Sequence, residues 1–254
     1  MQRKKKYLVF SILTLIAILS SLFIILDWSG FIFNTYDIND PVSLNSSRIK
    51  LLVSFLCTLL VCIIGRDGIN KRDTRRLTFI FILVFFADFN FFIGNAVLGI
   101  LTFGIVQTLL ILRNGTGFKE FLINSKISDR LRFIITGIFI LIILGTLFRY
   151  ILYPHINSKP ILYVLLTYQL LLGCSFFTAW ASLKIRYFPT INALFAALGM
   201  TFFLLCDLTV GMNLLFSPSI YRTVASYLTW IFYTPALILI GLSGYDINSH
   251  TTLK

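Results

Sequence analysis

Ten acidic residues occur in the chain, and two of them stand where a carboxylate is costly. Asp88 and Asp207 each interrupt an apolar run, Phe86-Ala87-Asp88-Phe89-Asn90 and Leu205-Cys206-Asp207-Leu208-Thr209, while the other eight lie in polar stretches or at the ends of apolar runs. An ionisable group at mid-membrane costs at least about 2.5–3.5 kcal/mol, so its retention marks a functional group by default. Two carboxyls that approach each other share a proton. Such a pair suits acid–base chemistry, with one group delivering a proton and the other activating water. Other chemistries lack their residues. His155 falls in an outer loop and His250 in the tail, and no HExxH, GxSxG or Walker pattern occurs. Cys57, Cys62, Cys174 and Cys206 offer neither metal spacing nor a disulfide framework. We expect no metal and no cofactor.

The elements that must position these acids follow from composition. The chain has 254 residues, 57% hydrophobic and 13% charged, about half the charge of an ordinary soluble domain. Soluble enzymes and nucleic-acid binders are thereby excluded. The net charge of +12 comes from short basic clusters between apolar runs, a pattern of membrane orientation and not of a phosphate-binding face. A transmembrane helix needs about 20 mostly apolar residues. The sequence predicts an all-α polytopic membrane protein, one integral domain over 1–254, with spans near 7–28, 48–65, 77–93, 95–112, 132–153, 160–183, 190–210 and 223–243. The first span follows a basic start but has no Ala-x-Ala site and reads as a retained anchor. The loops are short, and no appended soluble domain is expected.

The run 77–112 must be two spans. One helix of that length would reach about 54 Å at about 1.5 Å per residue, and Gly94-Asn95 supplies a turn. The flanking segments 66–76 and 113–132 each carry five Lys or Arg, so both belong inside, which demands two crossings between them. Eight spans with both termini inside place 17 basic residues inside and 5 outside. Arg48 and Lys50 count among the outer ones, and no basic residue is expected within a span interior to pair with the acids. The longest loop, 113–131, holds an amphipathic stretch (Phe118, Phe121, Leu122, Ile127) suited to the inner membrane surface. Asn45-Ser46-Ser47 is a formal glycosylation sequon in an outer loop.

Counting along their spans puts Asp88 and Asp207 in the outer half at similar depth. Each lies in the third span of a four-span set, compatible with a parallel 4 + 4 duplication. Asn192, Ala196, Gly199, Phe203 and Asp207 share one helical face, as do Asn95, Gly99, Phe103 and Gln107. Tyr168, Gln169, Ser175 and Thr178 add polar groups in the sixth span, and Tyr233 and Thr234 in the eighth. Spans 1, 2 and 5 carry only small polar residues and read as scaffold, leaving spans 3, 4, 6, 7 and 8 to line any polar chamber.

These residues give the chain a resemblance to the YhhN-type lysoplasmalogenases, across most of its length. That family has eight spans, an acid in the third, a Gly-x3-Phe-x3-His pattern in the fourth and Gly-Ala-x-x-Phe-x-x-Ser-Asp in the seventh. Asp88 matches the first acid, and Gly99, Phe103 and Gln107 match the second pattern with Gln in place of His. Gly199, Met200, Phe203, Leu204, Cys206 and Asp207 approximate the third with Cys in place of Ser. Phe232-Tyr233-Thr234-Pro235 stands where the family often has an aromatic run ending in Gln. The resemblance implies hydrolysis of the vinyl-ether bond of lysoplasmalogens to a fatty aldehyde and glycerophospho-ethanolamine or -choline. Asp88 and Asp207 would be the catalytic pair, with the acid unassigned, and Gln107, Tyr168, Tyr233 and Asn95 would orient water or substrate. The expected partner is a lysophospholipid or other lipid reached from within the membrane, the cytoplasmic membrane if the host is bacterial. Two alternatives stay open: a solute or lipid transporter that uses the same acids for proton coupling, and a non-catalytic relative. Geometry discriminates among them. Acids facing one closed pocket favour hydrolysis, and a polar path to both sides favours transport.

Overall fold

The computed structural model describes residues 3–33, 44–156 and 158–246; His250 and the rest of the tail lie outside them. Among these residues nine α-helices follow one another: α1 (Arg3–Ile32), α2 (Leu44–Ile64), α3 (Lys71–Phe92), α4 (Ala96–Asn114), α5 (Phe118–Asn124), α6 (Ile127–Leu147), α7 (Lys159–Ile185), α8 (Thr190–Leu215) and α9 (Ile220–Leu242). After α6 the chain widens into a π-helical turn, Phe148–Leu152. Seven helices, all except α3 and α5, are long and apolar enough to cross a membrane. Large apolar side chains such as Phe139 and Ile142 on α6 and Ile18 and Ile25 on α1 face outward. An apolar exterior of this kind needs hydrocarbon around it. The chain is an all-helical, multi-pass membrane protein.

The count of seven differs from the eight expected, for a reason in the first turns of α3. Lys71, Arg72, Asp73, Arg75 and Arg76 open that helix, so its apolar stretch begins only at Leu77 and is itself interrupted by Asp88. The hairpin itself forms as expected. Gly94 takes φ +84°, a conformation that costs glycine nothing. Asn95 then caps α4 by accepting a hydrogen bond from Leu98 N.

Polar contacts fix which helix ends share a face of the bundle. Lys5 Nζ lies 2.6 Å from Asp67 Oδ2. Arg113, at the end of α4, donates to Asp73 Oδ1 and Oδ2 at 2.8 and 3.0 Å and to Ser243 Oγ at 2.8 Å. Asn192 Nδ2 donates to the carbonyls of Ser243 and Tyr245, and Ile69 N donates to Gly244 O. The starts of α1, α3 and α8 and the ends of α4 and α9 therefore gather at one end. At the other end, Asp27 of α1 meets Ser46 and Lys50 of α2.

Between the ends, α8 and α9 make the closest pairing. A Cβ on Gly199 would stand 2.7 Å from Ile240 Cγ1 and 3.0 Å from its backbone N, so glycine is what lets these two helices touch. One loop expectation is corrected and another gains detail. The segment Phe118–Asn124 is helical, and Phe118 and Phe121 pack on Phe133 of α6, with ring centroids 5.1 and 5.3 Å apart. Both rings stay partly exposed, as does Leu122, while Ile123 and Ile127 are exposed. The sequon Asn45–Ser47 lies in the first turn of α2 and not in a loop, with Ser46 buried because it donates to Asp27 Oδ1.

Candidate functional site

Asp88 and Asp207 line the same cavity, of about 450 Å³, a size typical of ligand pockets, roughly 300–1,000 Å³. Asp88 projects from α3 and is 8% exposed. It accepts hydrogen bonds from Ser54 Oγ of α2 and from Tyr233 OH of α9, the latter at 3.0 and 2.9 Å to its two oxygens. Asp207 projects from α8, half-buried, and accepts from Tyr168 OH of α7 at 2.7 Å. The two carboxyls are close enough to interact electrostatically. Each is thus held by a hydroxyl from another helix, and both present oxygen to one space.

An aromatic cluster sets that geometry. Phe103 of α4 meets Phe203 of α8 edge-on at 5.8 Å and Tyr233 at 6.2 Å. Trp230 stands perpendicular to Tyr233 at 5.1 Å, and Phe23 of α1 lies 5.9 Å from Trp230. Edge-to-face rings fix one another's orientation, so the Tyr233 hydroxyl is aimed at Asp88 by its neighbours. Gly99 takes part by its lack of a side chain: a Cβ there would stand 2.6 Å from the Phe91 ring, and Phe91 lines the cavity.

With the Asp27–Lys50 end of the bundle called outer and the Arg113–Asp73 end called inner, the cavity is polar toward its outer end and stops short of the inner one. Beneath the carboxyls, Phe81 and Val84 of α3, Val106 and Leu110 of α4, Met200 of α8 and Leu237 of α9 are all buried, and none of them lines the cavity. The Arg113–Asp73 pair, farther in, is separated from it by this apolar layer.

The expected residues divide. Asp88, Asp207, Tyr168 and Tyr233 come together at the cavity wall. Gln107 is fully buried behind them. Its amide lies beside the Tyr168 hydroxyl, yet neither Oε1 nor Nε2 makes a hydrogen bond of regular geometry. Asn95 is exposed and spends its side chain on capping α4, away from the cavity lining. The buried stripe Asn192, Ala196, Gly199, Phe203 on α8 and the stripe Gly99, Phe103, Gln107 on α4 both face inward as expected.

Sequence reasoning missed the contribution of α2. Ser54 is a direct partner of Asp88, so this helix is wall and not scaffold. Lys50, one turn from Ser54, is 2% exposed and lines the cavity, its Nζ 2.7 Å from Asp27 Oδ2 and 5.6 Å from the Phe23 ring centre. A basic residue does therefore lie within a helix at the site, contrary to expectation. It pairs with Asp27 and not with Asp88 or Asp207. The available signal was the spacing of Lys50 and Ser54 at i and i+4, which puts both on one helical face.

Helices of this length around a carboxyl-lined cavity define a class: a multi-pass membrane protein with an acidic pocket inside its helical bundle. Comparisons with protein-family models, curated proteins and solved structures each find no match.

Proposed function

We propose that this protein is a membrane hydrolase of the YhhN lysoplasmalogenase type, cleaving the vinyl-ether bond of a lysoplasmalogen. The observation that carries the reading is that Asp88 and Asp207, from different helices, face one cavity whose inner end is closed by apolar side chains. In this reading α3, of 22 residues, crosses the membrane with the seven more apolar helices, giving eight spans with both ends on one side. The contacts of Lys5 with Asp67 and of Arg113 with Asp73 support that parity. A parallel 4 + 4 arrangement gains support from the way the acids are held. Asp88 accepts from Ser54 of the second span, and Asp207 accepts from Tyr168 of the sixth, which are corresponding places in two four-span sets.

The reaction needs a proton at the β-carbon of the alkene and a water at the α-carbon. A protonated carboxyl gives its proton to the β-carbon, the C=C electrons forming that C–H bond, and an oxocarbenium centre develops at the α-carbon and ether oxygen. Water adds to the α-carbon, losing a proton to the second carboxylate, and the resulting hemiacetal breaks its C–O bond to release aldehyde and a glycerol hydroxyl. Glycosidases meet the same demand with two carboxyls of unequal protonation. The hydrogen bonds support one division of the roles. Asp88, with two hydroxyl donors, is held as the carboxylate that takes the proton from water. Asp207, with one donor and a face on the cavity, delivers the proton. Tyr233 and Trp230 present ring faces beside the positive centre, and Phe91, Ile100, Leu165 and Leu172 offer an apolar wall for the chain.

The test is aldehyde release by detergent-purified protein given a lysoplasmalogen, with Asp88→Asn and Asp207→Asn alongside. Aldehyde from the parent and none from either folded variant supports the reading. No aldehyde from folded parent protein with either the ethanolamine or the choline headgroup overturns it.

A further inference from the structure

Lys50 is a buried cation in the wall of a cavity whose other charged lining residues are the acids Asp88 and Asp207, and a position of that kind asks what it is for. Its ammonium lies 2.7 Å from Asp27 Oδ2 as an ion pair, yet it makes no hydrogen bond of regular geometry among the described residues, so its three N–H donors are available to a ligand. Asp27 is engaged from two sides, by Lys50 and by the Ser46 hydroxyl, and it does not line the cavity. The pair thus presents its positive member to the cavity and keeps its negative member behind. Across the opening, Asn213 of α8 also lines the cavity, and its buried Oδ1 has no hydrogen-bond partner. Ser226 of α9 completes this outer ring.

The outer polar groups lie four to seven residues farther along the same helices than the deep ones. Lys50 precedes Ser54 by four positions on α2, Asn213 follows Asp207 by six on α8, and Ser226 precedes Tyr233 by seven on α9. At about 1.5 Å per residue these offsets put the outer tier about 6–10 Å from the carboxyl tier. A lysolipid has the same two-tier layout. Six single bonds separate its first chain carbon from phosphorus, about 7 Å when extended, given bond lengths near 1.5 Å. A chain carbon beside the acids therefore sets a phosphate at the depth of Lys50 and Asn213.

We propose that Lys50, supported by Asp27, is the binding site for the phosphate of a lysophospholipid headgroup. This assignment rests on the hydrolase reading for what the chain carbon does, but it is a statement about binding. The buried charge pair reads a phosphodiester, while the apolar wall reads the chain. A soluble phosphate would satisfy Lys50 alone and leave the wall empty.

The test uses the full chain in detergent and a lysophosphoethanolamine with a saturated 1-O-alkyl chain, which has no vinyl bond to protonate and is bound without turnover. Its affinity is compared with that of a 1-O-alkylglycerol of the same chain, with glycerophosphoethanolamine and with inorganic phosphate. The phosphate-bearing lipid binds about tenfold or more tightly than the alkylglycerol, the worth of a charge-assisted hydrogen bond. Because Lys50→Met alone strands Asp27 and risks misfolding, the decisive variant is the neutral double substitution Asp27→Asn with Lys50→Met. In it the preference falls to about one, and Lys50→Arg keeps it. A folded double variant that retains the full preference overturns the proposal. So does competition by inorganic phosphate as strong as that by the lipid, which would make this a site for soluble anions. Failure of the two readings is distinguishable. No aldehyde with an intact phosphate preference sinks the hydrolase and leaves this site standing. Aldehyde release without any phosphate preference does the reverse.

Discussion

The two ends of the helical bundle use polar residues in opposite ways. At the inner end, Arg113 spreads its guanidinium over Asp73, Ser243 and Asn114 and lies against the Phe188 ring at 5.1 Å. Asn192 ties down the chain beyond α9. Donors meet acceptors there, and the result is a clamp joining α3, α4, α8 and the end of α9. In the outer half Asp88, Asp207, Lys50 and Asn213, although the first three have partners in the protein, all line the cavity. A polar group in hydrocarbon that satisfies its neighbours is part of the fold. One that faces a cavity awaits something else. Folding energy selects the first arrangement, and the second is retained only if a ligand or a reaction uses it.

This contrast breaks most sharply under substitution of the acids. Asp88→Asn or Asp207→Asn should cut aldehyde release by about 10²–10⁴-fold, the usual worth of a general acid or base. The thermal midpoint in detergent should stay near that of the parent, because the amide keeps the Tyr233 or Tyr168 contact. A loss of folding that matches the loss of rate would place the acids with the inner clamp. Arg113→Met should do the converse. It leaves Asp73 buried without its cation and should cost about 3–5 kcal/mol of stability, read as a lowered midpoint. Adding Asp73→Leu should recover much of that loss, since a buried pair is often replaceable by apolar side chains.

The reason one half was legible in the sequence and the other less so is itself physical. Asp88 and Asp207 announce themselves because carboxyls are rare inside apolar runs. Tyr168 and Tyr233 follow because they lie in spans already read as lining the chamber. The Gly94-Asn95 hairpin was legible from length and loop charge. Lys50 and Ser54 were not read as site residues, because a lysine near a span end is the ordinary interfacial anchor and a lone serine in a span is an ordinary packing residue. Only tertiary placement, with Asp27 folded back on Lys50, turns that end inward. Asn95 was misassigned for the opposite reason. A polar side chain just before a helix has a local use as a cap, and here the local use wins. The clamp was hidden because Asp73 and Arg113 are 40 residues apart and each looks like one more member of an interfacial charge cluster.

The two tyrosines refine the division of labour inside the outer half. Tyr168 is the single hydroxyl donor to Asp207, whereas Asp88 keeps Ser54 when Tyr233 is lost. Tyr168→Phe should therefore lower aldehyde release by about tenfold, the worth of the one hydrogen bond that orients the proton-delivering carboxyl. Tyr233→Phe should lower it less, and Tyr233→Phe combined with Ser54→Ala should lower it by as much as Tyr168→Phe. Equal losses from the two single substitutions would show that the serine contributes nothing at the reacting carboxylate.

Gln107 fits neither half, and the smallest predicted effect settles where it belongs. It is fully buried, it does not line the cavity, and its amide sits beside Tyr168 without a regular hydrogen bond. Leaving a buried polar group unpaired costs about 1–3 kcal/mol. Replacing it by leucine, close in volume and without polar atoms, removes that cost at little risk to packing. Gln107→Leu should thus raise the thermal midpoint, by the equivalent of about 1 kcal/mol. It should also slow aldehyde release several-fold, because the Tyr168 ring loses the neighbour that limits where its hydroxyl points. Stability and rate moving in opposite directions would mark Gln107 as a positioning residue of the outer half, kept at a cost to the fold. A lowered midpoint would mean the amide is satisfied in the membrane and belongs, like Arg113, to the framework.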